Sequence, residues 1–228
     1  YATRVLADLG ARVIKIDPPF QETASTPIQS TGGPTRNLGK ESIALDLKRK
    51  PGLEVALQLA RMADIVVENF RPGVMDRLGF GYQTLRARKP DIIYASATGL
   101  GVDGPAAKRP GQDLLMQARS GLIAASGGRE AGPTIVGAAV VDQHGAALLA
   151  MGILAAFARK SQTGEGARVE TSLFQAAIDL QTEALTKYYA RSTKGDVMSR
   201  GRNIGSWYHD APYGAYALKD CQIVLSMN

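Results

Sequence analysis

One aspartate stands at the mouth of the most apolar stretch of the chain. Asp142 lies in G-A-A-V-V-D-Q-H-G (137–145), and seven of the ten residues from 146 to 155 are Ala or Leu. The apolar stretch predicts a helix, and a carboxylate at its start meets free N–H groups and the positive end of the helix dipole. Two readings are open. Asp142 is a plain N-cap or first-turn aspartate, or it is a nucleophilic carboxylate with backbone donors near enough to hold an oxyanion. His144 is two residues on and shares no helical face with Asp142, so it flanks such a site or packs.

A second group of residues follows the apolar run D-I-V-V-E (64–68). It reads E-N-F-R-P-G-V-M-D-R-L-G-F (68–80), with Arg71 and Arg77 bracketing a helix predicted to begin at Pro72. A strand end, a helix N-terminus and two guanidiniums make a phosphate or nucleotide seat. The alternative is a basic surface loop with Arg77 paired to a local acid. G-L-G-V-D-G (99–104) also follows a predicted strand, but Pro105 comes next and no helix is predicted before about Gln112. A dinucleotide fingerprint needs its last glycine in the helix that opens on the pyrophosphate, so these glycines shape a loop. His209 and Asp210 are adjacent on an extended segment and point apart, which reads as a loop feature. There is no G-x-S-x-G elbow and no P-loop.

Composition narrows the classes further. The chain has 228 residues, 45% apolar and 21% charged, with a formal net charge of +6. That is ordinary for a globular protein and argues against disorder. The excess of arginine fits a solvated basic surface or a small polyanionic ligand. With no Lys/Arg block and no aromatic RNP-like run, nucleic acid is not expected as a partner. No apolar run reaches the roughly 18 residues that span a bilayer, and the N-terminus carries no signal-peptide apolar region, so no membrane is expected either. One cysteine, Cys221, excludes an internal disulfide framework and a Cys-based zinc site, and two histidines leave little for another metal. No metal site is expected, and a reducing compartment, most simply the cytoplasm, is the default.

These residues must be placed by alternating strands and helices. The pattern predicts a helix over 2–9 stopped by Gly10, and strands over 12–17, 42–47, 64–68, 91–97 and 168–171. Helices are predicted over 51–62, 72–78, 82–88, 112–125, 140–160 and 173–191, and a hairpin over 213–218 and 222–227. Strands separated by helices pair in parallel through right-handed crossovers, giving an α/β sheet covered on both faces. The sequence opens inside a helix with no strand before it and stops inside a strand. An incomplete piece of a longer polypeptide is therefore expected.

Several stretches, in order and over nearly the whole length, carry a resemblance. They are L-A-D-L-G-A-R-V-I-K-I-D (6–17), S-I-A-L-D-L-K (42–48), V-E-N-F-R-P-G-V-M-D-R-L-G (67–79) and the glycine loop with Pro105. R-P-G-Q-D-L-L-M-Q-A-R-S-G (109–121) and T-G-E-G-A-R-V-E-T-S-L-F-Q-A (163–176) continue it. With these the chain resembles the class III CoA-transferase family, which includes formyl-CoA and carnitine-CoA transferases and α-methylacyl-CoA racemase. The resemblance implies a Rossmann-like parallel sheet with flanking helices, leading into a smaller α+β domain that is cut short. It divides the chain into a large CoA-binding domain (1–191), a linker (192–212) and the start of the small domain (213–228).

The resemblance further implies an acyl-CoA:carboxylate CoA-transferase, with coenzyme A and its thioesters as substrates, a carboxylic acid as acceptor and no tightly bound cofactor. Asp142 takes the place of the aspartate that carries a covalent aspartyl-CoA intermediate. The CoA seat maps onto Leu45, Lys48, Asn69, Phe70, Val74, Arg77 and the loop from Arg109 to Gln112, with Arg71 as an extra cation. Lys48, Arg77 and Arg109 would meet phosphates, and Phe70 and Val74 the adenine. Gln112 stands where racemases have a histidine, and an amide takes up no proton near neutral pH, so racemisation is disfavoured. A racemase or epimerase, and a non-catalytic CoA-binding protein, are the alternatives. Asp113 is either a carboxylate supporting the site or a helix N-terminal charge. Pro18 stands where some transferases have a CoA-contacting arginine. The family's first strand and its later glycine-rich flap are missing from the sequence. The full-length family members form homodimers of two threaded rings.

Overall fold

A computed structural model of the chain describes residues 1–19, 33–191, 200–201 and 203–227. Much of the polar loop after Asp17, and residues 192–199 and 202 of the expected linker, lie outside the described residues. The elements run α1 (Ala2–Asp8), β1 (Val13–Asp17), α2 (Gly33–Asn37), β2 (Lys40–Ala44) and α3 (Lys50–Met62). Then come β3 (Ile65–Glu68), α4 (Val74–Arg77), α5 (Tyr82–Arg88), β4 (Ile93–Thr98), α6 (Asp113–Arg119) and α7 (Leu122–Ala131). The long α8 (Val140–Thr163) leads to β5 (Ala167–Ser172), α9 (Leu173–Asp179), α10 (Thr182–Arg191), β6 (Tyr213–Ala217) and β7 (Gln222–Ser226). By contact the residues group into two compact units, 1–110 with 145–172 and 111–144 with 173–228.

The first unit carries the α/β character expected from the sequence. β3, β4 and β5 form a parallel sheet with β4 in the centre. β4 is buried along nearly its whole length, as a strand covered on both faces must be. Side chains alternate between the faces. Ile65, Val67, Ala95, Ala97 and Val169 pack with Ala2 and Leu6 of α1 and Leu149, Ala150 and Ile153 of α8. Val66 and Tyr94 pack with Ala56 and Ala60 of α3, Met75 of α4 and Leu85 of α5. α8 lies close on the sheet because position 152 is glycine: a Cβ there would fall 2.9 Å from Val169 Cγ1.

β1 and β2 also pair in parallel, but as a separate two-stranded ladder among the described residues. The sequence pattern predicts one sheet. The β1–β2 ribbon is joined by side chains instead, because Ile16, Leu45 and Leu47 pack on the α3–α5 core.

α8 also corrects an expectation. By length and composition it suffices to cross a membrane. Summing short apolar runs overlooks it because Gln143, His144 and Gly145 interrupt the apolar residues near its start. Here its Leu149, Ala150 and Ile153 are core residues, while Met151, Leu154 and Phe157 stay exposed.

In the second unit two predicted helices are each broken in two. Gly121, at φ 84°, ends the turn after α6 in the left-handed region and starts α7 on a new course. Between α9 and α10 the buried Gln181 donates from Nε2 to the carbonyls of Ala177 (2.9 Å) and Ser120 (3.2 Å). The expected hairpin is present as antiparallel β6–β7. Before it, Trp207 and Tyr208 meet edge to face and His209 stacks on Tyr213. His209 Nδ1 lies 2.5 Å from Ser206 Oγ, which gives the ring a partner other than Asp210.

The first unit's core sets a stability prediction. Ile153 has no exposed surface, so Ile153→Ala costs about 2–5 kcal/mol, mostly through the cavity it leaves. Met62 is 81% exposed, and Met62→Ala stays within about 0.5 kcal/mol. Urea midpoints at unchanged slope measure both.

Candidate active site

Asp142 is the third residue of α8 and its side chain is exposed. The backbone around it is held from another helix. Asp113, the first residue of α6, accepts the N–H of Val141 (2.8 Å) and of Asp142 (3.0 Å) on one carboxylate oxygen. Its other oxygen accepts Gln117 Nε2 at 2.5 Å. Gln117 is 1% exposed, and its Oε1 accepts the Val136 N–H at 3.1 Å.

Asp113 thus opens α6 and also caps α8. An N-cap carboxylate is normally local in sequence; here it is supplied from 28 residues away. The N-cap reading of Asp142 is displaced, because Asp142 is one of the capped residues, whereas its reading as a first-turn aspartate holds.

The backbone donors of the first turn of α8 are already engaged. The Val140 N–H goes to the Ala138 carbonyl and the Gln143 N–H to the Ala139 carbonyl. With Val141 and Asp142 bonded to Asp113, all four first-turn donors are consumed. His144 is drawn to α9, where Nε2 lies 2.6 Å from Asp179 Oδ2.

The residues expected at the CoA seat fall as follows. Leu45 is half-buried and packs on the α3–α5 core, while Lys48 is exposed. Asn69 Nδ2 donates to the Ala97 carbonyl at 2.6 Å and so ties the end of β3 to β4. Phe70 is 50% exposed, and its N–H donates to Glu68 Oε2 at 2.8 Å. Arg71 and Arg77 are exposed and Val74 is half-buried.

The helix predicted to start at Pro72 starts at Val74 and lasts four residues. Gly73, at φ 80°, holds Pro72 outside it, so the dipole argument for a phosphate there falls away and the guanidiniums remain. Arg109 is exposed after the glycine loop, where Gly101 donates to Thr98 Oγ1 at 3.0 Å. The next helix opens only at Asp113, with the exposed Gln112 as its N-cap residue. These positions from Leu45 to Arg109 belong to the first unit; Gln112, Asp113 and Asp142 belong to the second.

Sequence reasoning missed a cleft of about 230 Å³ in the first unit at the carboxyl ends of β3 and β4. Glu68, Ser96 and Arg168 line it with Arg71, Asp76 and Tyr94. Glu68, Ser96 and Glu170 are register partners across the three strands, a juxtaposition visible only once the strands are paired. Burial pushes the Glu68 carboxyl above the ordinary glutamate range, against the Phe70 N–H bond, with Asp76 and Glu170 adding to the rise and Arg168 opposing it. Burial likewise pushes the Tyr94 hydroxyl up. The Ser96 hydroxyl is buried without a hydrogen-bond partner among the described residues.

The sequence matches the description CoA-transferase family III over residues 1–228. The chain belongs to this family. Among its relatives, acetyl-CoA:oxalate CoA-transferase of Acetobacter aceti is 37% identical over 99% of this chain and 58% of that protein. Succinyl-CoA:mesaconate CoA-transferase of Haloarcula hispanica is 34% identical over 99% of this chain and 59% of that protein. A crystal structure of a hypothetical protein from Mycobacterium tuberculosis superposes with a TM-score of 0.82 at 34% identity, covering 99% of this chain and 59% of that one. The chain thus spans a little under three fifths of the family members it matches.

Glu68 yields a pH prediction. Its folded-state pKa is raised, so folding favours the protonated form. The stability this gives is complete below the unfolded value and is lost as pH rises through the folded one. Glu68→Gln carries no charge and keeps an acceptor for the Phe70 N–H. Its stability relative to wild type therefore rises from about pH 4 upward and is positive at pH 7, as read from urea midpoints across that range.

Proposed function

We propose that the protein to which this chain belongs is an acyl-CoA:carboxylate CoA-transferase with Asp142 as the covalent acyl carrier. The observation that supports it best is an exposed carboxylate on a first turn whose backbone is held by a second carboxylate. In the proposed cycle an Asp142 oxygen attacks the thioester carbonyl, the C–S bond breaks, and CoA leaves as thiolate from a mixed anhydride. The thiolate then attacks the Asp142 carbonyl carbon and expels the donor acid as carboxylate, leaving an aspartyl-CoA thioester. The acceptor carboxylate attacks that same carbon and expels thiolate, forming a second anhydride. Attack of the thiolate on the acceptor's acyl carbon gives the new acyl-CoA and returns the Asp142 carboxylate. No proton is gained or lost, and one difficult exchange becomes several easier ones.

The oxyanions in this cycle need donors other than the first-turn amides of α8, which Asp113 and the local carbonyls occupy. An exposed anhydride would hydrolyse, so bound substrate and the rest of the protein must exclude water around Asp142. Lys48, Arg77 and Arg109 are assigned to the CoA phosphates and Phe70 and Val74 to the adenine, with Arg71 a further cation and Leu45 and Asn69 completing the seat. Gln112 offers no base for α-proton exchange, which favours transfer over racemisation. Oxalate and mesaconate appear in the relatives' names, so dicarboxylic acids are the first acceptors to try. A homodimer, a cytoplasmic location and a small domain beginning near residue 213 belong to the same proposal.

In the full-length protein, Asp142→Ala lowers CoA transfer by on the order of 10⁴-fold or more; exchange at the wild-type rate contradicts the assignment. Arg77→Gln raises KM for acyl-CoA about 10-fold with kcat little changed, as loss of a charge-assisted phosphate contact does. Steady-state kinetics measure both.

A further inference from the structure

We propose that Gln117 is a positioning residue for the transfer reaction, fixing the Asp113 carboxylate and, through it, the backbone of the acyl carrier. The inference rests on Asp142 as the carrier. Gln117 is buried, and burying an amide is costly unless both of its ends are bonded. Its Oε1 holds the Val136 N–H at 3.1 Å, and its Nε2 donates to Asp113 Oδ2 at 2.5 Å and faces the Ala138 carbonyl at 3.4 Å. Asp113 and Gln117 are four residues apart on α6 and so share one face.

One side chain therefore grips the loop entering α8 and also the carboxylate that caps α8. Without the Nε2 donor, Asp113 is free to turn about its terminal torsion and to release the Val141 and Asp142 N–H groups. The reaction asks Asp142 to present its carboxyl carbon in turn to a thiolate and to a carboxylate, so its backbone must hold still while its bonds change. A misplacement of about 1 Å costs on the order of 10²-fold in rate. Gln117 touches no reacting atom; it acts through Asp113.

The test uses the full-length protein carrying Gln117→Leu and Gln117→Glu. For Gln117→Leu, kcat falls about 10²-fold, while KM for acyl-CoA and the Kd for CoA stay within about 3-fold, because the proposed seat residues from Leu45 to Arg109 keep their contacts. The rate at which hydroxylamine traps an Asp142 hydroxamate falls with kcat. Gln117→Glu shows the same loss at pH 8. Its activity relative to wild type recovers as pH falls toward 5, because the introduced carboxyl, raised by burial and by the Asp113 carboxylate it faces, regains a proton to donate.

A kcat within about 3-fold of wild type for Gln117→Leu overturns the proposal. So does a loss that merely parallels CoA binding and the melting midpoint. If Gln117→Leu does not fold, Gln117→Glu decides: a ratio to wild type that is flat with pH overturns it. Asp142→Ala in the same assay separates the two claims. An inactive Asp142→Ala beside an unimpaired Gln117→Leu removes only the positioning role; a fully active Asp142→Ala removes the carrier itself.

Discussion

A carboxylate at the start of one helix holds the first turn of another, and the candidate chemistry depends on that bond. Asp113 accepts two N–H groups that α8 would otherwise leave open. Two charge-assisted bonds at a helix N-terminus combine a cap with a favourable dipole contact. The consequence is chemical as well as structural. With the first-turn donors spent, Asp142 is presented by a rigid turn, not cradled by it, and whatever stabilises negative charge on a substrate oxygen must come from elsewhere. Asp113 thus decides what the start of α8 can and cannot do.

Further along, α8 is fixed by packing. Leu149, Ala150 and Ile153 meet Ala95 and its neighbours on one face of the β3–β4–β5 sheet, with Gly152 allowing close approach to Val169. The opposite face is covered by α3, α4 and α5 up to Tyr94. Beyond Tyr94, toward the carboxyl ends of β3 and β4, apolar cover gives way to Glu68 and Ser96, which line a polar cleft with Arg168, the register partner of Tyr94. Arg168 pairs with Glu170 and lies over the Tyr82 ring at 5.7 Å, so its charge is already engaged there. An open parallel sheet leaves its carboxyl ends free for ligands. The E-N-F-R-P-G run leaves β3 at this end, with the Asn69 side chain tying it back to β4.

The sequence made much of this legible, for identifiable reasons. β3 and β4 are short apolar runs bounded by polar residues, which is what buried parallel strands look like. Asp142 stood out because a charge beside a long Ala/Leu stretch is conspicuous. The break at Gly121 was not legible, because a single glycine inside an apolar pattern reads equally as a tolerated residue. The cap on α8 was not legible either, since its acceptor and its two donors are 28 and 29 residues apart. The only local trace of it was Asp113 and Gln117 at helical spacing. The cleft residues Glu68, Ser96 and Arg168 come together through strand register, which no single stretch of sequence encodes.

The central claim is that Asp142 bonds covalently to the cargo and to CoA. The most direct measurement is peptide mass spectrometry of the full-length protein incubated with acyl-CoA and no acceptor acid. The peptide containing Asp142 is expected to gain the mass of one CoA less one water, and to lose it when an acceptor acid is added. A protein that turns over with no such mass on that peptide, or with the adduct on another residue, would contradict it.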